Sequence, residues 1–199
     1  MIEPIARIRI ELRSVEPHVW RRVDVPLSCT LLALHDIIQI AMGWTDSHLF
    51  EFQVGDRLYG ALELDFELEP RQYKASRTRL RTLIERGVHR FEYIYDFGDH
   101  WEHDVVIEEL RDGEADIDYP AFIDGERRCP PEDVGNAEGF MEFLEAALIP
   151  GHEAHERMVA WYGKRFEFAE IDERDIRMRL AHLARRRRGA VRRHRSSSR

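Results

Sequence analysis

The sequence predicts an α+β fold: a mostly antiparallel sheet around one amphipathic helix, with a C-terminal helical portion. Three observations predict it. Neighbouring segments in the first half alternate apolar and polar residues and are joined by short breaks, the pattern of antiparallel hairpins. One stretch, residues 30–43, instead repeats its apolar residues at helical spacing. After Pro130 and Pro131 the apolar residues fall only into helical stripes.

Taken in order, residues 5–13 set Ala6, Ile8, Ile10 and Leu12 against Arg7, Arg9 and Glu11, with one slip near the start. Pro17 breaks the run, and residues 18–25 resume β-favouring chemistry until Pro26, giving the first strand an antiparallel partner. Thr30 is placed as an N-cap and Gly43 as a C-terminal glycine cap for a helix carrying Leu31, Leu34, Ile37, Ile38 and Ala41 on one face. His35 and Asp36 are read as solvated or capping residues of that helix. Phe50, Phe52 and Val54 alternate up to Gly55-Asp56, which predicts a hairpin with Arg57-Leu58-Tyr59. Residues 61–78 read as a loop, and 78–86 as one or two helical turns stopped by Gly87.

A second hairpin brackets Asp96-Phe97-Gly98-Asp99. Phe91, Tyr93 and Tyr95 share one strand face; beyond the turn Trp101, His103, Val105 and Ile107 share another, with His100, Glu102, Asp104 and Val106 opposite. Gly98 is expected to supply a positive φ, and the flanking Asp side chains to accept from turn amides. Beyond Arg111-Asp112-Gly113 a second loop reaches Asp133, and in it Pro130-Pro131 stiffen the backbone that carries Glu132 and Asp133. Phe140, Phe143, Leu144, Ala147 and Leu148 form one helical stripe, and His155, Met158, Val159 and Tyr162 a second, closed by Gly163. A third helix, from Asp172, carries Ile176, Leu180 and Leu183.

At 199 residues the chain falls in the size range of one domain, read as residues 1–184, with a disordered Arg-rich tail at 185–199. The tail holds eight Arg and no acid; since the whole chain carries −8, residues 1–184 carry −16. Such a body repels nucleic acid over most of its surface, so any such binding would be local and salt-sensitive. With 34% charged residues and no apolar run of spanning length, no membrane partner and a cytoplasmic address are expected. Cys29 and Cys129 form no CxxC pair and read as buried free thiols.

The segment 95–103 concentrates the reactive groups: Tyr95, Asp96, Asp99, His100, Trp101 and His103, with Glu132 and Asp133 as a carboxylate-bearing neighbour. Asp96-Phe97-Gly98 matches the magnesium element of protein kinases, but a glycine-rich loop, strand lysine and HRD loop are all missing. A divalent metal has candidate ligands in Asp96, Asp99, His103, Glu132 and Asp133, because mixed imidazole and carboxylate donors suit zinc or manganese. Against it, His100 and His103 point to opposite faces of a regular strand. His152 and His155 stand three apart rather than the four of HExxH, and GxSxG is absent.

These landmarks carry a resemblance. Leu34-His35-Asp36 with Ala41-Met42-Gly43-Trp44, His48-Leu49-Phe50-Glu51-Phe52, Tyr59-Gly60, YIYDFGDHWEH from Tyr93 to His103, and Arg128-Cys129-Pro130-Pro131-Glu132-Asp133 resemble the plasmid Ri-type ORF-three-like family, over about residues 5–184. Some members of that family are labelled as TnpR-like passenger proteins of insertion elements. The resemblance implies a sheet that wraps a helix, a C-terminal helical portion closing over it, and no established reaction. The motif positions here are Trp44, His48, Tyr95, Asp96, Gly98, Asp99, Trp101, His103, Pro130, Pro131, Glu132 and Asp133. Where the family often has Cys followed by two Gly after PPED, this chain has Val134-Gly135-Asn136, which argues against a site that needs the thiol.

The leading expectation is a non-catalytic interaction module, encoded with mobile DNA or descended from such a gene, that binds a protein or peptide partner at residues 95–103 and 130–133. The alternative is a metal-dependent hydrolase or nuclease built on YDFGDHWEH and CPPED. A third reading is nucleic-acid binding through Arg185, Arg186, Arg187, Arg188, Arg192 and Arg193.

Overall fold

The computed structural model describes residues 3–60 and 71–197, the last eight of these by backbone alone. Eight strands form one sheet: β1 (Pro4–Leu12), β2 (Trp20–Pro26), β3 (Phe50–Val54), β4 (Arg57–Gly60), β5 (Gln72–Lys74), β6 (Arg90–Tyr95), β7 (Trp101–Asp112) and β8 (Ala121–Glu126), in the order β5-β4-β3-β6-β7-β1-β2-β8. Every pairing is antiparallel except β4 with β5. The helices are α1 (Leu31–Met42), α2 (Leu80–Glu85), α3 (Ala137–Leu148), α4 (His155–Tyr162) and α5 (Glu173–Ser197). The α+β class read from the residues is therefore the observed one.

The caps of α1 are those the sequence marks. The Thr30 side chain accepts from Ala33 N, and Gly43 adopts φ 90°, a left-handed conformation that costs glycine little. Leu31, Leu34, Ile37, Ile38 and Ala41 are all buried, and one continuous core joins them to the inner face of the sheet and to Phe140, Phe143, Phe166, Ile176 and Leu180 of the C-terminal portion. On the outer face, Arg13, just past β1, pairs with Asp104 of β7 and Glu92 of β6, and Arg22 of β2 reaches across β1 to Glu108 of β7, so long guanidinium side chains tie strands that are not direct neighbours. Asp24 is the exception in being fully buried there, held by Arg7 at 2.9 Å and Arg111 at 2.6 Å.

The slip near the start of β1 is a change of register between Arg7 and Ile8, where β7 passes from Glu109 to Ile107; Ile5 and Ala6 are consequently both buried. Ile5 and Tyr119 crowd Gly113, where a Cβ would lie 2.8 Å from the Tyr119 ring.

Three expectations are corrected. Of residues 61–78, 61–70 lie outside the described residues, while 72–74 form β5 and Ala75–Arg77 a 3-10 turn instead of a loop. Ala121–Glu126, also read as loop, is the edge strand β8. The tail expected to be disordered from 185 continues α5 to Ser197. Leu180 and Ala184 bury its inner side, and Arg187 and Arg188 lose their mutual repulsion to Glu3 and Asp118. Cys29 and Cys129 are buried and free. Among the described residues no helix is long and apolar enough to cross a membrane.

Candidate functional site

The β6–β7 hairpin ends in the turn that carries the site. Its backbone reversal is taken not by Gly98 but by Asp96 and His100, at φ 58° and 56°. Asp96 Oδ1 accepts from the amides of Gly98 (2.9 Å) and Asp99 (3.3 Å), and this side chain to backbone bonding makes the left-handed conformation tolerable for Asp. Gly98 serves by closeness instead, since a Cβ there would sit 3.2 Å from Asp96 Oδ1. With Oδ1 engaged, Asp96 Oδ2 is left facing His48.

The 44–48 loop is set by a closed ring of hydrogen bonds, buried at His35, Gln39 and Tyr93 and closed at the exposed Asp46, whose donors can be assigned. Asp46 N–H donates to Gln39 Oε1, so Gln39 Nε2 must be the group that donates to Tyr93 Oη. The Tyr93 hydroxyl then donates to His35 Nδ1, and His35 Nε2–H to Asp46 Oδ1, each at 2.8 Å. His35 is thus a buried neutral imidazole, stacked on Phe50 with centroids 3.6 Å apart, and burial lowers its pKa. It is neither a solvated nor a capping residue. Tyr95 Oη accepts from Ser47 N at 2.9 Å and lies 3.2 Å from both Glu132 oxygens, to which it donates. Burial, and then the neighbouring Glu132 carboxylate, raise the Tyr95 pKa, which keeps that proton in place.

The 129–136 segment is fastened from below. Trp44 Nε1 donates to Pro130 O at 2.9 Å, and Thr45 donates to Glu132 Oε1 from its backbone N and its hydroxyl. Asp133 takes φ 59° and turns its carboxylate toward His48. Asn136 caps α3 by accepting from Glu138 N and Gly139 N, while Gly135, at φ 96°, takes the left-handed turn.

At the junction of these three segments, His48 Nε2 lies 3.1 Å from Asp133 Oδ1, 3.4 Å from Asp96 Oδ2 and 3.7 Å from Glu132 Oε2. His48, Asp96 and Asp133 each offer a donor atom, all within 4.8 Å of one another. Asp133 is exposed, so the cluster opens to solvent on that side.

Residues 4–175 match the family model described as plasmid pRiA4b ORF-3-like protein. The chain belongs to that family. It is 39% identical over 164 residues to the uncharacterized protein y4hQ of Sinorhizobium fredii (strain NBRC 101917 / NGR234), covering 82% of this chain and 83% of that one. Its fold is similar to the crystal structure of MM3350, a protein of unknown function from Methanosarcina mazei Go1, with a TM-score of 0.80, 29% identity, and coverage of 88% of this chain and 97% of that chain.

In this pRiA4b ORF-3-like chain the residues singled out from the sequence separate into three groups. Tyr95, Asp96, Glu132 and Asp133 come together. Asp99 stands beside them, accepting from Gly135 N at 3.2 Å; burial, then the adjacent Asp96 charge, raise its pKa. His100, Trp101 and His103 do not join. His100 is exposed on the far side, 3.4 Å from Glu102. Trp101 is buried, not an exposed recognition group, and packs at 6.2 Å from Trp44. His103 is removed as a metal candidate: fully buried, it donates from Nδ1 to Tyr93 O, and burial pushes its pKa down to about 4.

The residue missing from the ligand candidates was His48. It lies 47 positions before Tyr95, to whose hydroxyl its backbone N donates at 3.3 Å, and the β3–β6 pairing, which sets Phe50 opposite Tyr95, brings it to the turn. Of the tail arginines, Arg187 is bound by Glu3 and Ser28 and Arg188 by Asp118 at 2.8 Å, while the side chains of Arg192 and Arg193 lie outside the described ones.

Proposed function

We propose that the protein binds a divalent cation through His48 Nε2, Asp96 Oδ2 and Asp133 Oδ1, and works by presenting it to a group on a partner or substrate. One observation carries this reading: donor atoms from three separate chain segments lie within 4.8 Å of one another, and the turn amides already hold the other oxygen of Asp96. Imidazole with carboxylates suits zinc or manganese, and three protein donors leave further positions open. When bound, such an ion polarises an ester, amide or phosphoryl oxygen and acidifies water, so hydrolysis is the chemistry the centre supports. Glu132, 3.7 Å from His48 Nε2, is placed to accept a proton. The −16 charge on residues 1–184 opposes a nucleic-acid substrate, which favours hydrolase over nuclease.

Titration of Mn²⁺ or Zn²⁺ into untagged, chelator-stripped protein tests this. One equivalent is expected to bind, and His48→Ala or Asp133→Asn to weaken binding at least about tenfold. Absence of stoichiometric binding overturns the reading. A second reading then stands, a cation-free interaction module: Leu49 and Phe97, 65% and 50% exposed, flank the cluster as an apolar rim for a protein or peptide partner. An origin with insertion elements belongs to this second reading, where the module would serve a partner encoded beside it.

A further inference from the structure

Beside Asp133, a groove of about 470 Å³ runs between α3 and α4. Phe143, Met158 and Trp161 give it an apolar floor, and Trp161 is 48% exposed although its ring meets Phe143 edge-on at 5.7 Å. Four carboxylates line it, those of Asp133, Glu142, Glu145 and Glu153, against the single guanidinium of Arg157. His152 at its edge accepts from Ala154 N at Nδ1. An aromatic floor under excess negative charge fits arginine side chains, which stack on indole while pairing with carboxylates.

The chain supplies such a segment. After Arg188 the sequence Gly189-Ala190-Val191-Arg192-Arg193-His194-Arg195-Ser196-Ser197-Ser198-Arg199 holds four Arg and no acid. It cannot reach the groove of its own molecule as a continuation of α5. Arg179 of that helix donates to Trp44 O at the end of the sheet where the site and groove lie, and Arg187 reaches Glu3 at the opposite end of β1. Those ends are separated by a nine-residue strand, roughly 30 Å. The helix then continues in the same direction to Ser197, on the order of 15 Å farther away. We propose that the α3–α4 groove receives the Arg-rich C-terminal segment of a second copy of this chain. Reciprocal exchange of tails closes a two-fold dimer, and one-way exchange builds an open chain.

The full chain is examined by sedimentation or light scattering with two variants. One carries Glu142→Arg, Glu145→Arg and Glu153→Arg, all exposed positions, and the other Arg192→Glu, Arg193→Glu and Arg195→Glu. Circular dichroism confirms that each is folded. At about 50 mM salt the unmodified chain is expected at twice the 23.6 kDa monomer mass or more, falling to one chain at about 0.5 M as the charges are screened. Each variant alone is expected to be monomeric. Their mixture sets the unmodified tail of the first against the unmodified groove of the second, and the reversed tail against the reversed groove, and forms a heterodimer. A monomer at low salt overturns the proposal, as does association that survives tail reversal or a mixture that stays monomeric. Uptake of a free Arg-rich peptide by a chain that never self-associates also overturns it and points to another basic partner.

Discussion

At the scale of single residues, the fate of His103 shows how an apparent site residue becomes a core residue. Its Nδ1–H satisfies Tyr93 O, its ring meets Trp44 edge-on at 5.3 Å, and Nε2 is buried with no hydrogen-bonding partner among the described residues. Protonation would place a charge among those rings, so the folded protein holds the imidazole neutral down to about pH 4, against 6.5 for an ordinary histidine. Between those values the unfolded chain binds the proton and the folded chain does not. Stability is therefore lost as pH falls through that window, by roughly 3 kcal/mol in all, and this contribution levels off below pH 4. Urea unfolding at pH 7, 5.5 and 4 checks it. The wild-type chain is expected to lose more stability than His103→Gln over that range, and parallel losses would contradict the assignment. The alternation of β7 already marked His103 as sharing a face with Trp101 and Val105. His48 stood among the family motif positions, but no periodicity marked it as a ligand, because its partners come from the turn after β6 and from the CPPED segment. The ring of His35, Gln39, Tyr93 and Asp46 did leave one: His35 and Gln39 stand four apart on the apolar face of α1, a spacing that brings two polar side chains to one buried spot.

At the scale of elements, the strands with strong alternation were legible and the weak edges were not. Within β8 only Phe122 is buried, so Ala121–Glu126 offers almost no period to read. The turn at 96–100 was legible as a turn, but the glycine in it pointed to the wrong φ; side-chain bonding by Asp96 decided the matter. The pairing of β1 with β2 places Arg7 opposite Asp24, and Arg111 of β7 completes the group from the other side. The Asp24 hydrogen bond, opposed by partial burial, raises the Arg7 pKa. Removing the shared carboxylate leaves two guanidiniums facing each other with only partial access to water. Asp24→Asn is expected to cost about 3 kcal/mol, the lower end for breaking a buried ion pair, since both Arg side chains are about a quarter exposed. Denaturant unfolding reads this directly. A loss within experimental error would mean that the three strands are held without that group.

At the scale of the whole molecule, the sheet acts as a frame that brings distant sequence together. β3, β6 and the segment after β8 deliver His48, Asp96 and Asp133 to one end, and Trp44 under Pro130 ties the last of these to α1. No reading of local pattern gives that convergence, because it depends on strand order. The same frame separates the acidic end from the basic end, with α5 running from one toward the other. An anomalous-difference map from a crystal soaked in Mn²⁺ tests most directly whether the acidic end holds a cation. One peak is expected about 2.0–2.2 Å from His48 Nε2, Asp96 Oδ2 and Asp133 Oδ1 together. A map with no peak there, and His48 still bonded to Asp133, would contradict it.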